Sequence, residues 1–381
     1  MIYLDNAATT RPHPQVVEIA GICLNENFGN PSSTYLLGIN ARQIIDTARK
    51  CLANIFNVPL AGIVFCGSGT ESDNLALKGI FGNLQPQVGR LITTRLEHSA
   101  VIKTAEWLEQ RGITVDFVQI DPQTGQIDLN HLETLVQPET RLVSIQHVNS
   151  ETGIIQDLSA ISKTVKGKNP DTFIHSDGVQ AFSKFSVDLQ LLGVDLYSIS
   201  GHKFHGIKGA GALIMNTKAP LEAIIHGGGQ EFDLRSGTEN VAAIAGMGKA
   251  ADLACSTIQE NHAQVSAFSA EIKTYLCQRF KNIRMVETPN TIPHIISLSH
   301  PGIPGEVLLN HLAEKEIYVA TGSACNAGSK NLSPVLRTMD FSAQRIRETI
   351  RISLAASEIP DNPAEFLNQF SDVVEDLIQI V

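Results

Sequence analysis

Four residues with chemistry in their side chains, Ser200, His202, Lys203 and His205, crowd the end of an apolar run at 196–199, with Gly201, Gly206, Gly209 and Gly211 among them. A second apolar run, 212–215, follows. Two strands joined by a turn account for the glycines. They do not account for a hydroxyl, an imidazole and an amine packed where a strand leaves the core. Lys203 has two readings: a solvated turn lysine, or a desolvated amine nucleophilic enough to form a Schiff base.

Other groups fall at similar points. The small residues at 67–72, Gly-Ser-Gly-Thr-Glu-Ser, lie between a buried run at 63–66 and a helical pattern. Backbone N–H groups at a helix start can hold an anion, and Gly69 and Thr70 are the candidates. No Gly-Lys-Ser/Thr follows, so this is not a nucleoside-triphosphate loop; an ordinary strand–helix turn is the alternative. His98 opens a helix, and Asn149 sits in a turn or on a ligand. Asp177 is an N-cap or a site carboxylate. Gln180, three residues on, shares its helical face. A carboxylate and an amide aimed at one spot suit a heteroaromatic ring with a basic nitrogen and a neighbouring oxygen. Thr238 and Arg235, in the glycine-rich segment 226–240, are anion ligands or part of a surface loop. Arg351 is an ion-pair partner or a clamp for a substrate carboxylate. Cys325 is flanked by small and polar residues, unlike Cys23, Cys51, Cys255 and Cys277, and is a candidate nucleophile.

The elements that must position these groups follow from periodicity. Strands are expected at 63–66, 91–94, 115–120, 142–148, 173–175, 196–199 and 212–215. Helices are expected at 40–56, from 71, and from 98 through 108. Strands alternating with helices imply a mainly parallel sheet, whose ligand sits outside the carboxyl ends of the strands. His98, Asn149, Asp177 and Lys203 all follow such ends. After an Ala-rich helix at 241–255 the composition changes. A long amphipathic helix at 259–281, strands at 295–298, 317–320 and 350–354, a helix at 306–315 and a last helix through Leu377 read as a smaller α+β unit. We therefore expect a large domain at 12–251 and a small one built from 1–11 and 252–381. The segment 326–341 is expected to be a mobile loop leading into a short helix.

With 381 residues, of which 43% are apolar, the chain has the size and composition of a two-domain globular protein. A net charge of −10 argues against nucleic acid or an anionic membrane as the main partner. No transmembrane run or signal peptide is visible. Six scattered cysteines without a C-x-x-C pair suit a reducing cytoplasm better than disulfides or a zinc site, and no metal site is expected.

Several stretches, in order, resemble the cysteine desulfurases: 3–10, 29–33, 69–74, Glu97-His98, 175–181, 200–203, 235–240, 322–325 and 351–354. The resemblance implies a pyridoxal-phosphate enzyme of fold type I in the class-V aminotransferase branch, with a mainly parallel seven-stranded sheet. It implies that Lys203 carries the cofactor, and that Gly69, Thr70, Ser200 and His202 bind its phosphate, joined by Thr238 from the other subunit of a homodimer. His98 then stacks on the ring and serves as an acid–base partner, Asp177 pairs with the ring nitrogen and Gln180 with the phenolic oxygen. Asn149 contacts the cofactor and, with Arg351, the carboxylate of L-cysteine. Cys325 takes the sulfur as a persulfide and passes it to an acceptor protein, a scaffold or a sulfurtransferase, leaving alanine. Another enzyme of the branch, a selenocysteine lyase or an aminotransferase, is the alternative, and a non-catalytic binding protein a third. Ser150, Asn326, Ala355 and the segment 204–208 depart from the family pattern without removing a named catalytic group. The chain is expected to lack the C-terminal extension by which housekeeping members contact an iron–sulfur scaffold, which leaves the acceptor open.

Overall fold

Short aliphatic runs bounded by small and polar residues build the main sheet. A computed structural model describes residues 1–82, 89–216, 219–321 and 332–380. In chain order the strands are β1 (Ile2–Tyr3), β2 (Ile63–Cys66), β3 (Arg90–Thr93), β4 (Thr114–Phe117), β5 (Thr140–Ser144), β6 (Phe173–Asp177), β7 (Leu196–Ser200) and β8 (Gly211–Met215). They continue as β9 (Arg284–Met285), β10 (Ile295–Ser299), β11 (Ile317–Tyr318), β12 (Ala320–Thr321) and β13 (Thr349–Ser353). Seven of these form one sheet in the order β2-β8-β7-β6-β5-β3-β4. The pairs from β7 to β4 are all parallel, and β8 runs antiparallel to both of its neighbours. Strand β2 therefore points the same way as β7, and the ends of β2, β3, β5, β6 and β7 open on one edge.

Both faces of this sheet are covered, which is why its strands read as near-continuous apolar runs. Helices Gly69–Gly82 and Ser99–Glu109 bury Leu75, Leu77, Ile80 and Val101 against one face. Helices Leu36–Phe56, Leu158–Lys168 and Val241–Ser256 bury Ile45, Leu52, Ile161 and Met247 against the other. Helix Pro14–Asn25 packs on this second layer. It escapes the sequence reading because exposed Val17, Ile22 and Leu24 blur its apolar stripe. The helix expected from 40 begins at Leu36 for the same reason: Leu36, Leu37 and Ile39 are exposed.

A second apolar core joins Leu4 to Val265, Phe268, Leu308, Ile350, Phe366 and Leu377. Here β12-β13-β10-β9 form an antiparallel sheet, and β1 pairs in parallel with β11. The single strand expected at 317–320 is two. Its first half pairs with the N-terminus and its second with β13. Among the described residues no single helix is long and apolar enough to cross a membrane.

Candidate active site

The strand ends converge on a cavity of about 290 Å³. Its walls include Gly69, Thr70, His98, Asp177, Gln180, Ser200, His202, Lys203 and Arg351. Nine of the residues singled out in the sequence, from five separate stretches of chain, thus share one space. The N-terminal residues Ala7 and Ala8 close it from the side.

Lys203 ends the single 3-10 turn Gly201–Lys203 that follows β7. Its Nζ donates to the carbonyl oxygens of Ala7 (2.5 Å) and Ala8 (2.8 Å). The turn is tight: a Cβ at Gly206 would sit 2.7 Å from the Gly201 carbonyl oxygen. His202 is anchored by Thr9 Oγ1 at 3.1 Å, and burial, then the charges of Lys203 and Lys208, pull its pKa down to about 4. It is therefore a neutral hydrogen-bonding group at pH 7. Lys208 is exposed.

Across the cavity, Ser68 Oγ caps helix Gly69–Gly82 by accepting the Glu71 N–H at 3.1 Å, which leaves the N–H groups of Gly69 and Thr70 without a partner inside the helix. A Cβ at Gly69 would meet Val179 Cγ2 at 2.7 Å and Ser200 Cβ at 3.3 Å, so only glycine fits between the two walls. A helix N-terminus, a serine, a neutral imidazole and an ammonium group make a binding set for a phosphate.

His98 caps helix Ser99–Glu109 by accepting the Ala100 N–H at Nδ1 (3.1 Å). That contact places the proton of the neutral ring on Nε2. Asp177 accepts the Val179 N–H at 2.9 Å. Burial raises its pKa, while His98, the Val179 N–H and Lys203 pull it back. A buried carboxylate of that kind seeks a proton or a cation, which fits a protonated ring nitrogen. Gln180 Nε2 donates to Ala7 O at 2.8 Å.

Two buried acids here escape the sequence reading. Asp73 lines the cavity, its Oδ1 has no hydrogen-bond partner, and burial and Asp177 push its pKa well up. Glu97 lies beside His98, and burial raises it to about 8. Donor atoms of Asp73, His98 and Asp177 all lie within 4.8 Å of one another, a spacing that a metal ion can also bridge. The one sequence signal for Asp73 is a charged residue on the apolar face of a helix.

Arg351 reaches the cavity from β13. It is 3% exposed, and it donates to Asp5 Oδ1 (2.7 Å) and Ser150 O (2.9 Å). Its Nε has no partner. Asn149 stands behind the wall. Its Oδ1 accepts from Glu151 N, Thr152 N and Thr152 Oγ1, and its Nδ2 donates to Leu96 O. It thus builds the turn that presents Ser150, with one amide N–H left for a ligand. Thr238 is exposed and lines a different hollow, beside Arg235 and Asn240. It does not reach the Lys203 cavity of its own chain. Cys325, with the rest of 322–331, lies outside the described residues.

The donor set fits pyridoxal phosphate: a glycine-lined anion cradle at one end, a buried carboxylate and an amide at the other, and an imidazole and a lysine between them. The class-V aminotransferase family matches residues 2–362. A cysteine desulfurase IscS of Methanosarcina thermophila is 35% identical, with 99% of this chain and 92% of the relative aligned. A protein of the same name from Dictyoglomus turgidum is 36% identical, with 99% and 94% aligned. The solved structure of a NifS-like protein superposes with a TM-score of 0.91 at 33% identity, over the full length of both chains.

Proposed function

The chain belongs to the class-V aminotransferase family, among its cysteine desulfurases, and we propose a role for each cavity residue in taking sulfur from L-cysteine. The cofactor is pyridoxal phosphate, which when bound supplies an electron sink for the substrate's α-carbon. Lys203 holds it and moves the α-proton of the substrate. Gly69, Thr70, Ser200 and His202 bind its phosphate. Asp177 keeps the ring nitrogen protonated, and Gln180 serves the phenolic oxygen. His98 covers the ring and moves protons near neutral pH. Arg351 binds the substrate carboxylate, with Asn149 contributing its remaining amide N–H and the Ser150 turn. The Cys325 thiolate attacks the substrate sulfur. The sulfur–carbon bond breaks, the sulfur stays on Cys325 as a persulfide, and the carbon skeleton takes a proton and leaves as alanine.

The observation that carries this reading is the meeting of Lys203, Asp177, His98 and Arg351 around one cavity. Purified protein given L-cysteine should release alanine and, with a thiol reductant, sulfide in equal amounts. Lys203→Ala should abolish both. If Cys325→Ser keeps the wild-type rate, the persulfide assignment fails.

The working unit we propose is a homodimer. Exposure of Thr238 away from its own cavity supports it, as do the exposed apolar side chains of Leu24, Phe28, Tyr35 and Leu36. Residues 12–251 form the cofactor-bearing unit, and 1–11 with 252–381 the unit that brings Arg351 and Cys325; the two separate apolar cores support that division. The sulfur acceptor is a protein, a scaffold or a sulfurtransferase, with iron–sulfur cluster assembly as one destination for the sulfur. A reducing cytoplasmic setting suits the unpaired thiols of Cys23, Cys51, Cys66, Cys255 and Cys277.

A further inference from the structure

Behind the Lys203 turn lies a second cavity, of about 620 Å³, which the reaction does not use. Lys184 enters it from the segment after β6, at 8% exposure. Its Nζ donates to the backbone carbonyl of Lys203 at 3.0 Å. No carboxylate pairs with it among the described residues. The one acid on the cavity wall, Glu358, is already paired with Arg11 at 2.8 Å.

The wall also carries Arg11, Ser183, Thr257, Asn261, Gln264 and Ser357, and imidazoles lie on it or beside it. His262 hydrogen-bonds the Lys184 carbonyl through Nδ1 (3.0 Å), and His205 hydrogen-bonds the Arg11 carbonyl (2.9 Å). Each Nδ1 therefore carries a proton. His294 lines the cavity at 5% exposure, and its Nδ1 has no partner. Burial and the Lys184 charge lower the pKa of His294 and His205, and burial lowers Lys184 itself to about 8. The buried ammonium of Lys184 keeps one carbonyl bond and has no carboxylate partner among the described residues, so its charge is desolvated with little to offset it there.

We propose that this cavity binds a small monovalent anion, a halide or a short carboxylate, between Lys184 and His294. The ammonium supplies the charge and keeps its bond to the Lys203 carbonyl. Occupancy therefore stiffens the backbone of the residue assigned to carry the cofactor, from the side opposite the substrate.

Bromide is the direct probe. Crystals of the holoenzyme soaked in sodium bromide should show an anomalous peak in contact with Lys184 Nζ. In solution, bromide or acetate should raise the melting temperature of the holoenzyme along a single-site saturation curve. The acetate and bromide arms separate a carboxylate site from a halide site. Lys184→Met should lose the saturable rise, and His294→Phe, which keeps the lysine, should weaken it. The proposal is overturned by wild-type crystals without bromide beside Lys184, or by a melting curve in Lys184→Met that rises as in wild type. The crystal soak needs no variant, so a poorly folding Lys184→Met does not rescue the idea.

Discussion

The carboxylates of Asp73 and Asp177 come within 4.8 Å of each other in the Lys203 cavity, and both are buried. Two carboxylates so close in a poorly solvated site do not both ionise. Asp177 has His98, the Val179 N–H and Lys203 to hold its charge, whereas Asp73 has only the Ser198 hydroxyl against burial and the charges of Asp177 and Glu97. The proton therefore belongs on Asp73 and the charge on Asp177. Asp177→Asn should cost ~10²-fold or more in alanine formation. Asp73→Asn, which keeps a neutral hydrogen-bonding group, should cost less than about tenfold. Equal losses in the two variants would mean that the charge is shared.

Arg351 is buried and ion-paired with Asp5, and its charge also reaches Glu151. A substrate carboxylate must share the guanidinium with Asp5, and the unpartnered Nε offers the contact. Arg351→Gln should lower kcat/KM for L-cysteine about 10- to 100-fold, the worth of one charge-assisted hydrogen bond. Most of the loss should appear in KM. Asp5→Asn should act in the same measurement but more weakly, because it loosens the arginine without removing it. A wild-type KM in Arg351→Gln would show that the carboxylate binds elsewhere.

Lys203, Asp177 and His98 are legible in the sequence because each falls at or just past a strand end, and parallel strands bring their ends to one edge. Asp73 is not legible as a site residue. It lies within the first two turns of Gly69–Gly82, and only the packing of that helix on β6 and β7 turns it toward Asp177. Asn149 is legible as a turn residue, and the three donors on its Oδ1 make that turn; the residue is buried and does not itself line the cavity. The break between β11 and β12 has no sequence signal, since Ile317, Tyr318, Val319 and Ala320 all suit a strand. It is set by two different partners, β1 and β13.

Two treatments separate the possible occupants of the cavity. The donors of Asp73, His98 and Asp177 are close enough for a metal, but the phosphate cradle and Lys203 beside them suit the organic cofactor. Dialysis against EDTA should leave alanine formation unchanged. Stripping pyridoxal phosphate should abolish it, and adding the cofactor back should restore it. Borohydride reduction followed by peptide mapping should place the pyridoxyl group on Lys203, with none on exposed Lys208. A label on Lys208, or loss of activity with EDTA, would contradict the assignment.

Glu97 predicts a pH dependence of stability. Its Oε1 accepts from Thr94 Oγ1 (2.8 Å) and Gln146 N (3.0 Å), and its Oε2 is buried without a partner. Burial raises its pKa from 4.5 to about 8 despite those two bonds. Between these values the folded protein holds a proton that the unfolded chain has released, so unfolding free energy falls as pH rises. The loss begins above the unfolded pKa and is complete above about 8, where the folded state too must carry the buried charge. Glu97→Gln keeps the shape and removes the titration. Its melting temperature should match wild type near pH 5 and exceed it near pH 8.5, by a difference on the order of a few kcal/mol in unfolding free energy. Parallel melting curves for the two proteins across that range would show that Glu97 is ionised in the folded state throughout.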